Sequence, residues 1–146
     1  MKKSILEFLE ETVTRVPEKM AYADEQGSFS FQEVYNDART IATGLSKIVP
    51  EKSPVAILMD SRHIAYVEAM FGVLYAGCFY APLDSAVPQE RLDILLDRLA
   101  PSLIIYDDKN EQTALNYQGR FPAASFIELK QGIMDEEILS AIRERS

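Results

Sequence analysis

The chain has 146 residues, 47% of them hydrophobic, which is the size of one ordinary domain able to bury an apolar core without covalent staples. Fifteen basic against 23 acidic side chains leave a formal net charge of −8, and that balance opposes association with nucleic-acid phosphates or anionic lipid, so neither nucleic acid nor membrane is an expected partner. The single cysteine, Cys78, cannot close an internal disulfide, and Met1-Lys2-Lys3-Ser4 runs into an amphipathic segment instead of an apolar signal core, which predicts a cytoplasmic protein.

Residues 4 to 16 place Ile5, Leu9, Val13 and Val16 on one helical face, and Pro17 follows the natural end of that surface helix. Met20 to Asp24 reads as a short strand, Gln26-Gly27-Ser28 as a turn and Phe29 to Phe31 as the returning strand of a hairpin. Ser30 and Glu33 have capping-box spacing, so a helix should open there, with Val34, Ala38, Ile41, Ala42, Leu45 and Ile48 on one stripe and Pro50 at its exit. Strand and helix then alternate: Val55 to Met59, a helix from about Arg62 to Ala76, Phe79 to Ala81, a helix from about Gln89 to Ala100, and Leu103 to Tyr106. Two consecutive βαβ units predict an α/β fold of layered units around a mainly parallel sheet.

The first of these helices is apolar around most of its circumference, through Ile64, Val67, Met70, Phe71, Val73 and Leu74, which predicts cover on more than one side. The run from Val67 to Pro82 is interrupted by Gly72, Gly77 and Pro82 and falls short of the ~20 residues of a membrane span. In the second helix Leu92, Leu95, Leu96 and Leu99 should face inward and Arg91, Asp93, Asp97 and Arg98 outward. Past Asp107 the pattern weakens: Tyr117, Phe121, Phe126, Ile127 and Leu129 read as short strands and loops, and Asp135 to Arg145 as a last helix. No repeat, linker or internal boundary appears, so residues 1–146 read as a single domain, less well packed after about residue 107.

Several residues could carry chemistry, and each has a structural reading beside it. Gly72 and Gly77 have the spacing of a phosphate-binding loop, but that mechanism needs Lys and Ser/Thr after the second glycine, where Cys78 and Phe79 stand. Such a loop must also open a helix, whereas Gly77 lies at a helix end and reads as a left-handed cap residue. His63, the only histidine, follows Asp60, Ser61 and Arg62 at the carboxyl end of a predicted strand, where open α/β sheets bind ligands; against a catalytic role, Ser61 is a good N-cap for the next helix and nothing in the spacing gives Asp60, Ser61 and His63 the geometry of a triad, so the group reads as cap and surface. Cys78 sits among apolar neighbours and reads as a small buried hydrophobe. The pairs Asp107-Asp108 and Asp24-Glu25 lack the ordered oxygen series of a calcium loop and read as solvated turns, while Asp84 closes a strand before Pro88.

Two segments carry a resemblance. Leu74-Tyr75-Ala76-Gly77-Cys78-Phe79-Tyr80-Ala81-Pro82-Leu83-Asp84 resembles the second conserved core segment of adenylate-forming (AMP-binding) ligases, and Phe29-Ser30-Phe31-Gln32-Glu33-Val34 resembles the first. The strands Ala21-Tyr22-Ala23-Asp24 and Val55-Ala56-Ile57-Leu58 and the segment Pro88-Gln89-Glu90-Arg91-Leu92 extend the likeness. The Pro-Leu-Asp ending and following Pro-x-x-Arg-Leu resemble the amino-acid-activating branch, nonribosomal peptide synthetase adenylation domains and D-alanine:carrier protein ligases, more than acyl-CoA synthetases.

The resemblance implies the N-terminal part of that enzyme's large subdomain. It implies ATP and magnesium for the complete enzyme, an acyl-adenylate intermediate and acyl transfer to the phosphopantetheine thiol of a carrier protein. The matched segments are mainly framework; the phosphate loop, nucleotide contacts, substrate pocket and catalytic lysine of the family fall downstream of them. No catalytic, cofactor-binding or metal-binding residue is therefore assigned here, and this chain alone is expected to hold no cofactor and to be inactive. The expected partners are the remainder of the enzyme and the carrier protein, with a homodimer permitted through uncovered apolar surface or a free sheet edge. Two other readings stand beside this one: a small nonenzymatic interaction or scaffold module built on the same fold, and a fragment of an acyl-CoA synthetase.

Overall fold

A computed structural model describes residues 5–24, 27–60, 64–83, 87–130 and 133–134. The element order is α1 (Ile5–Arg15), β1 (Met20–Asp24), β2 (Gly27–Ser30), α2 (Phe31–Ser46), β3 (Pro54–Leu58), α3 (Ile64–Tyr75), β4 (Phe79–Leu83), α4 (Gln89–Leu99), β5 (Leu103–Tyr106), a single 3-10 turn (Asp108–Asn110), α5 (Glu111–Gln118), β6 (Ser125–Lys130) and β7 (Ile133–Met134). β1 and β2 form the expected antiparallel hairpin. The other strands make one sheet in the order β4-β3-β5-β6-β7, parallel except for the last pair.

The period-2 rule divides β3 between two cores. Val55 and Ile57 face the layer of α2 and α3, where they meet Ile41, Leu45, Ala69, Val73, Leu103 and Ile105. Ala56 and Leu58 face α4 and α5, with Leu92, Leu96, Ile104 and Tyr117. Both faces of the sheet are thus covered, as parallel strands require. The α3 helix is packed on two sides because α1 and α2 lie against the face that the sheet does not take.

Local signals set several boundaries. Ser30 accepts the Glu33 amide at 3.2 Å while Glu33 accepts the Ser30 amide at 3.1 Å, a complete capping box. Helix α2 therefore begins at Phe31, one residue earlier than the strand reading of Phe31 allows, and it ends at Ser46 well before Pro50. At the end of α3, Gly77 has φ +77, the Cys78 amide donates to the Val73 carbonyl and the Gly77 amide to the Leu74 carbonyl. That is a Schellman cap, so Gly77 has the left-handed role expected of it.

Phe126, Ile127 and Leu129 lie in the short strand β6, as expected, with Ile127 and Leu129 buried. Two expectations need correction. Tyr117 is helical, not part of a strand or loop: α5 supplies a third crossover, from β5 to β6. Ile5 is 48% exposed, so only Leu9 and Val13 of the α1 stripe are buried. The expected helix from Asp135 to Arg145 lies outside the described residues.

Candidate functional site

The carboxyl ends of β3 and β5 lie side by side, at the edge where parallel α/β sheets place ligands. Asp107 follows β5 there, and it is 7% exposed, not a solvated turn residue. One carboxylate oxygen accepts the Asp60 backbone amide at 2.8 Å, across 47 residues of chain. The other accepts the backbone amide of Asn110 at 3.1 Å and its side-chain amide at 2.6 Å. Asp107 therefore caps the turn that leads into α5 and at the same time ties the end of β3 to the end of β5. Lys109 approaches Asp60 at 3.4 Å on the exposed rim, while Asp108 is exposed as expected. Ser61, Arg62, His63 and Asp84 lie outside the described residues, so the His63 reading acquires no geometry.

A second polar cluster joins α4 to α5. The Tyr117 hydroxyl donates to Asp93 at 2.5 Å, and the Gln89 amide reaches Asp93 at 2.9 Å and the Tyr117 oxygen at 2.5 Å. Arg120 lies 3.2 Å from Asp93 and pairs with Asp97 through its other nitrogen. The Tyr117 hydroxyl, followed by Gln89 and Arg120, holds the Asp93 carboxyl below the usual carboxylate range. Burial, followed by the bond to Asp93, pushes the Tyr117 phenol above the usual range. Asp93 and Asp97 point outward as the helical pattern predicts, but they serve an interhelical clamp.

Neither glycine of the phosphate-loop spacing is free for that use. A Cβ on Gly72 would stand 2.5 Å from Ile41 Cγ2, because α3 crosses α2 there at close range. Gly77 sits at a helix carboxyl terminus, whose partial negative charge opposes a phosphate. Cys78 is 5% exposed, with its thiol 3.5 Å from the Pro50 carbonyl, and behaves as core. Among the described residues no group of three or more His, Cys, Asp or Glu is placed to hold a metal ion, and no helix is long and apolar enough to cross a membrane.

Two further features escape the sequence patterns. Glu68 is completely buried within α3, in a run whose other inward residues are apolar; such a carboxylate is a feature that folds retain at a cost. An apolar pocket of about 260 Å³ lies between α1, the hairpin, α2 and α3, lined among others by Phe8, Leu9, Tyr22, Val34, Val67 and Phe71.

A family model described as AMP-binding enzyme matches residues 9–139. Gramicidin S synthase 2 of Brevibacillus brevis is 35% identical over 107 residues, which are 73% of this chain and 2% of that protein. Surfactin synthase subunit 3 of Bacillus subtilis (strain 168) is 31% identical over 119 residues, 80% of this chain and 9% of that subunit. The chain thus spans only a small part of the length of these relatives. The solved anthranilate CoA ligase AuaEII, in complex with anthranoyl-AMP, has the same fold over 95% of this chain and 27% of its own, with TM-score 0.79 and 18% identity.

Proposed function

The chain belongs to the AMP-binding enzyme family, and from that premise we propose that it forms the N-terminal framework of an amino-acid-activating ligase. The observation that carries the reading is the pair of core segments in their structural places. Phe29 to Val34 makes the hairpin-to-helix junction with its capping box, and Leu74 to Leu83 makes the helix end, Gly77 cap and strand β4. Identity of 35% and 31% to peptide synthetases supports the amino-acid branch, whereas AuaEII at 18% shares the fold and does not separate the branches.

In the complete enzyme, ATP and a carboxylate give an acyl-adenylate and pyrophosphate, with magnesium on the phosphates. The thiol of a carrier protein then takes the acyl group and releases AMP. Gly72, packed on Ile41, and Gly77, closing a helix carboxyl terminus, do not fit a phosphate loop. The task of the described residues is to hold a covered parallel sheet and its carboxyl edge in fixed register. We expect this framework to act in the cytoplasm with the rest of an adenylation enzyme and a carrier protein as partners.

Amino-acid-dependent ATP–pyrophosphate exchange tests the reading in two arms. The purified chain should give no exchange with any amino acid, and measurable exchange would overturn the framework role. A peptide synthetase adenylation domain carrying this chain in place of its matching residues should retain exchange; a folded chimera without it would favour the nonenzymatic-module alternative.

A further inference from the structure

Helix α1 rests on α2 and α3 through few buried side chains. Its buried contribution is two side chains, Leu9 and Val13, while Ile5 and Phe8 remain 48% and 57% exposed. Under it lies the apolar pocket of about 260 Å³, roofed by Phe8, Leu9 and Thr12 and floored by Val34 of α2 and Val67 and Phe71 of α3. A helix resting over unfilled apolar space forfeits dispersion contacts along that side. The Thr12 hydroxyl does not compensate across the gap, because it donates at 2.8 Å to the Phe8 carbonyl of its own helix.

A polar contact ties α1 to the end of α3 on the outer side. The Tyr75 hydroxyl, at the end of α3, donates to Glu10 of α1 at 3.1 Å. Tyr75 itself is fixed from α2, where the Tyr35 ring meets it edge-on at 6.0 Å and the Arg39 guanidinium lies 5.2 Å from its ring centre. The groups facing Tyr75 are thus Glu10, Tyr35 and Arg39. The backbone just past α1 is pinned: the Phe31 amide donates to the Lys19 carbonyl and the Gln32 amide to the Pro17 carbonyl. Movement of α1 therefore stops at Pro17 and need not disturb the hairpin or α2.

We propose that α1 is a latch, opening as one unit about Pro17 and uncovering the apolar floor of α2 and α3 while the rest of the fold stays closed. Elements with few buried contacts open below the global unfolding free energy and do so as contiguous units. The Glu10–Tyr75 bond opposes this opening, and Val34, Val67 and Phe71 are among the apolar side chains it exposes.

Native-state hydrogen exchange of the intact chain, followed residue by residue across a low urea series, is the test. The α1 amides should share one opening that is about a hundredfold or more as frequent as the opening of β3 and β5. Tyr75→Phe keeps the ring against Tyr35 and Arg39 and deletes only the hydroxyl, so it should speed α1 exchange about two- to tenfold and leave β3 and β5 unchanged. Glu10→Gln keeps an acceptor and should produce a smaller change in the same direction. Exchange of α1 at the rate of β3 and β5 would overturn the proposal. So would graded fraying with no shared urea dependence, or a Tyr75→Phe effect spread equally over all elements.

Discussion

The close crossing of α2 and α3 gives the most direct test of the packing. Replacing Gly72 with Ala puts a Cβ 2.5 Å from Ile41 Cγ2, 2.8 Å from Ile41 Cβ and 3.3 Å from the Ala38 carbonyl oxygen. Carbon atoms prefer about 3.5–4.0 Å, so the helices must separate by roughly 1 Å, or Ile41 must leave its rotamer. Neither is easy: Ile41 is 1% exposed and Ala38 wholly buried, and a β-branched side chain on a helix has one strongly favoured χ1. Overpacking of this kind costs about 1–3 kcal/mol, while exchanging a helical Gly for Ala returns about 1 kcal/mol. The net expectation is a loss of about 1 kcal/mol, read as a lower urea midpoint at unchanged slope. Ile41→Ala removes Cγ2 but leaves Cβ 2.8 Å from the new methyl group, so on that background Gly72→Ala should cost less than it does in the parent without becoming free, a coupling of the kind found between touching residues. A Gly72→Ala chain more stable than the parent would refute the steric argument, since propensity alone would then be acting.

Four other outcomes follow from named contacts. Ser30→Ala should cost about 1 kcal/mol by opening the α2 capping box, with loss of amide protection at Glu33 as the local readout. Ala100 holds φ +47 at the α4 terminus, a region strained for any side chain, so Ala100→Gly should raise stability by about 0.5 kcal/mol in thermal or urea unfolding. Asp107→Ala strands the Asp60 amide and both Asn110 donors and should cost about 2–3 kcal/mol, with chemical shifts moving at the ends of both β3 and β5. The pH profile has two limbs. Asp93 has a depressed folded pKa, so its contribution exists above the ordinary carboxylate value and disappears as pH falls through that range; Tyr117→Phe should flatten this acid limb. Tyr75 and Tyr117 have raised folded values, so their contribution is present below the unfolded phenol pKa of about 10 and is lost as pH rises beyond it. Absorbance titration at alkaline pH should find two of the seven tyrosines ionising last or only on unfolding.

Legibility in the sequence followed the strength of local physics. The capping box at Ser30 and Glu33, the left-handed Gly77 and the inward Leu92 and Leu96 are each fixed by neighbours within a few positions, and each appears where expected. Helix α5 escaped because its eight residues bury only Ala114 and Tyr117, too short a stripe for periodicity to register. The burial of Asp107 has no local sequence signal, because its partner at Asp60 is 47 residues away, a distance that no local pattern spans. The Gly72 spacing suggested a loop motif, whereas its use is a helix crossing visible only once α2 and α3 are packed. The candidate site shares that limitation: the resemblance located framework segments, but the contacts that stiffen them are tertiary.

Among the described residues β4 is one edge of the sheet, and Pro82 limits what can pair with it. In β4 the Phe79 amide donates to the Ser53 carbonyl of the β3 side, and backbone groups alternate direction along a strand, so Phe79, Ala81 and Leu83 turn toward β3 while Tyr80 and Pro82 turn outward. Pro82 has no amide to offer, which leaves the Tyr80 N–H as the only outward donor of β4. A strand added there would lack one ladder hydrogen bond at Pro82, and proline on an edge is a recognised guard against such pairing. What remains available is side-chain surface, led by Phe79 at 60% exposure. A strand so apolar in composition, exposed in a sheet otherwise covered on both faces, is better suited to contact through side chains than to growth of the sheet by another strand.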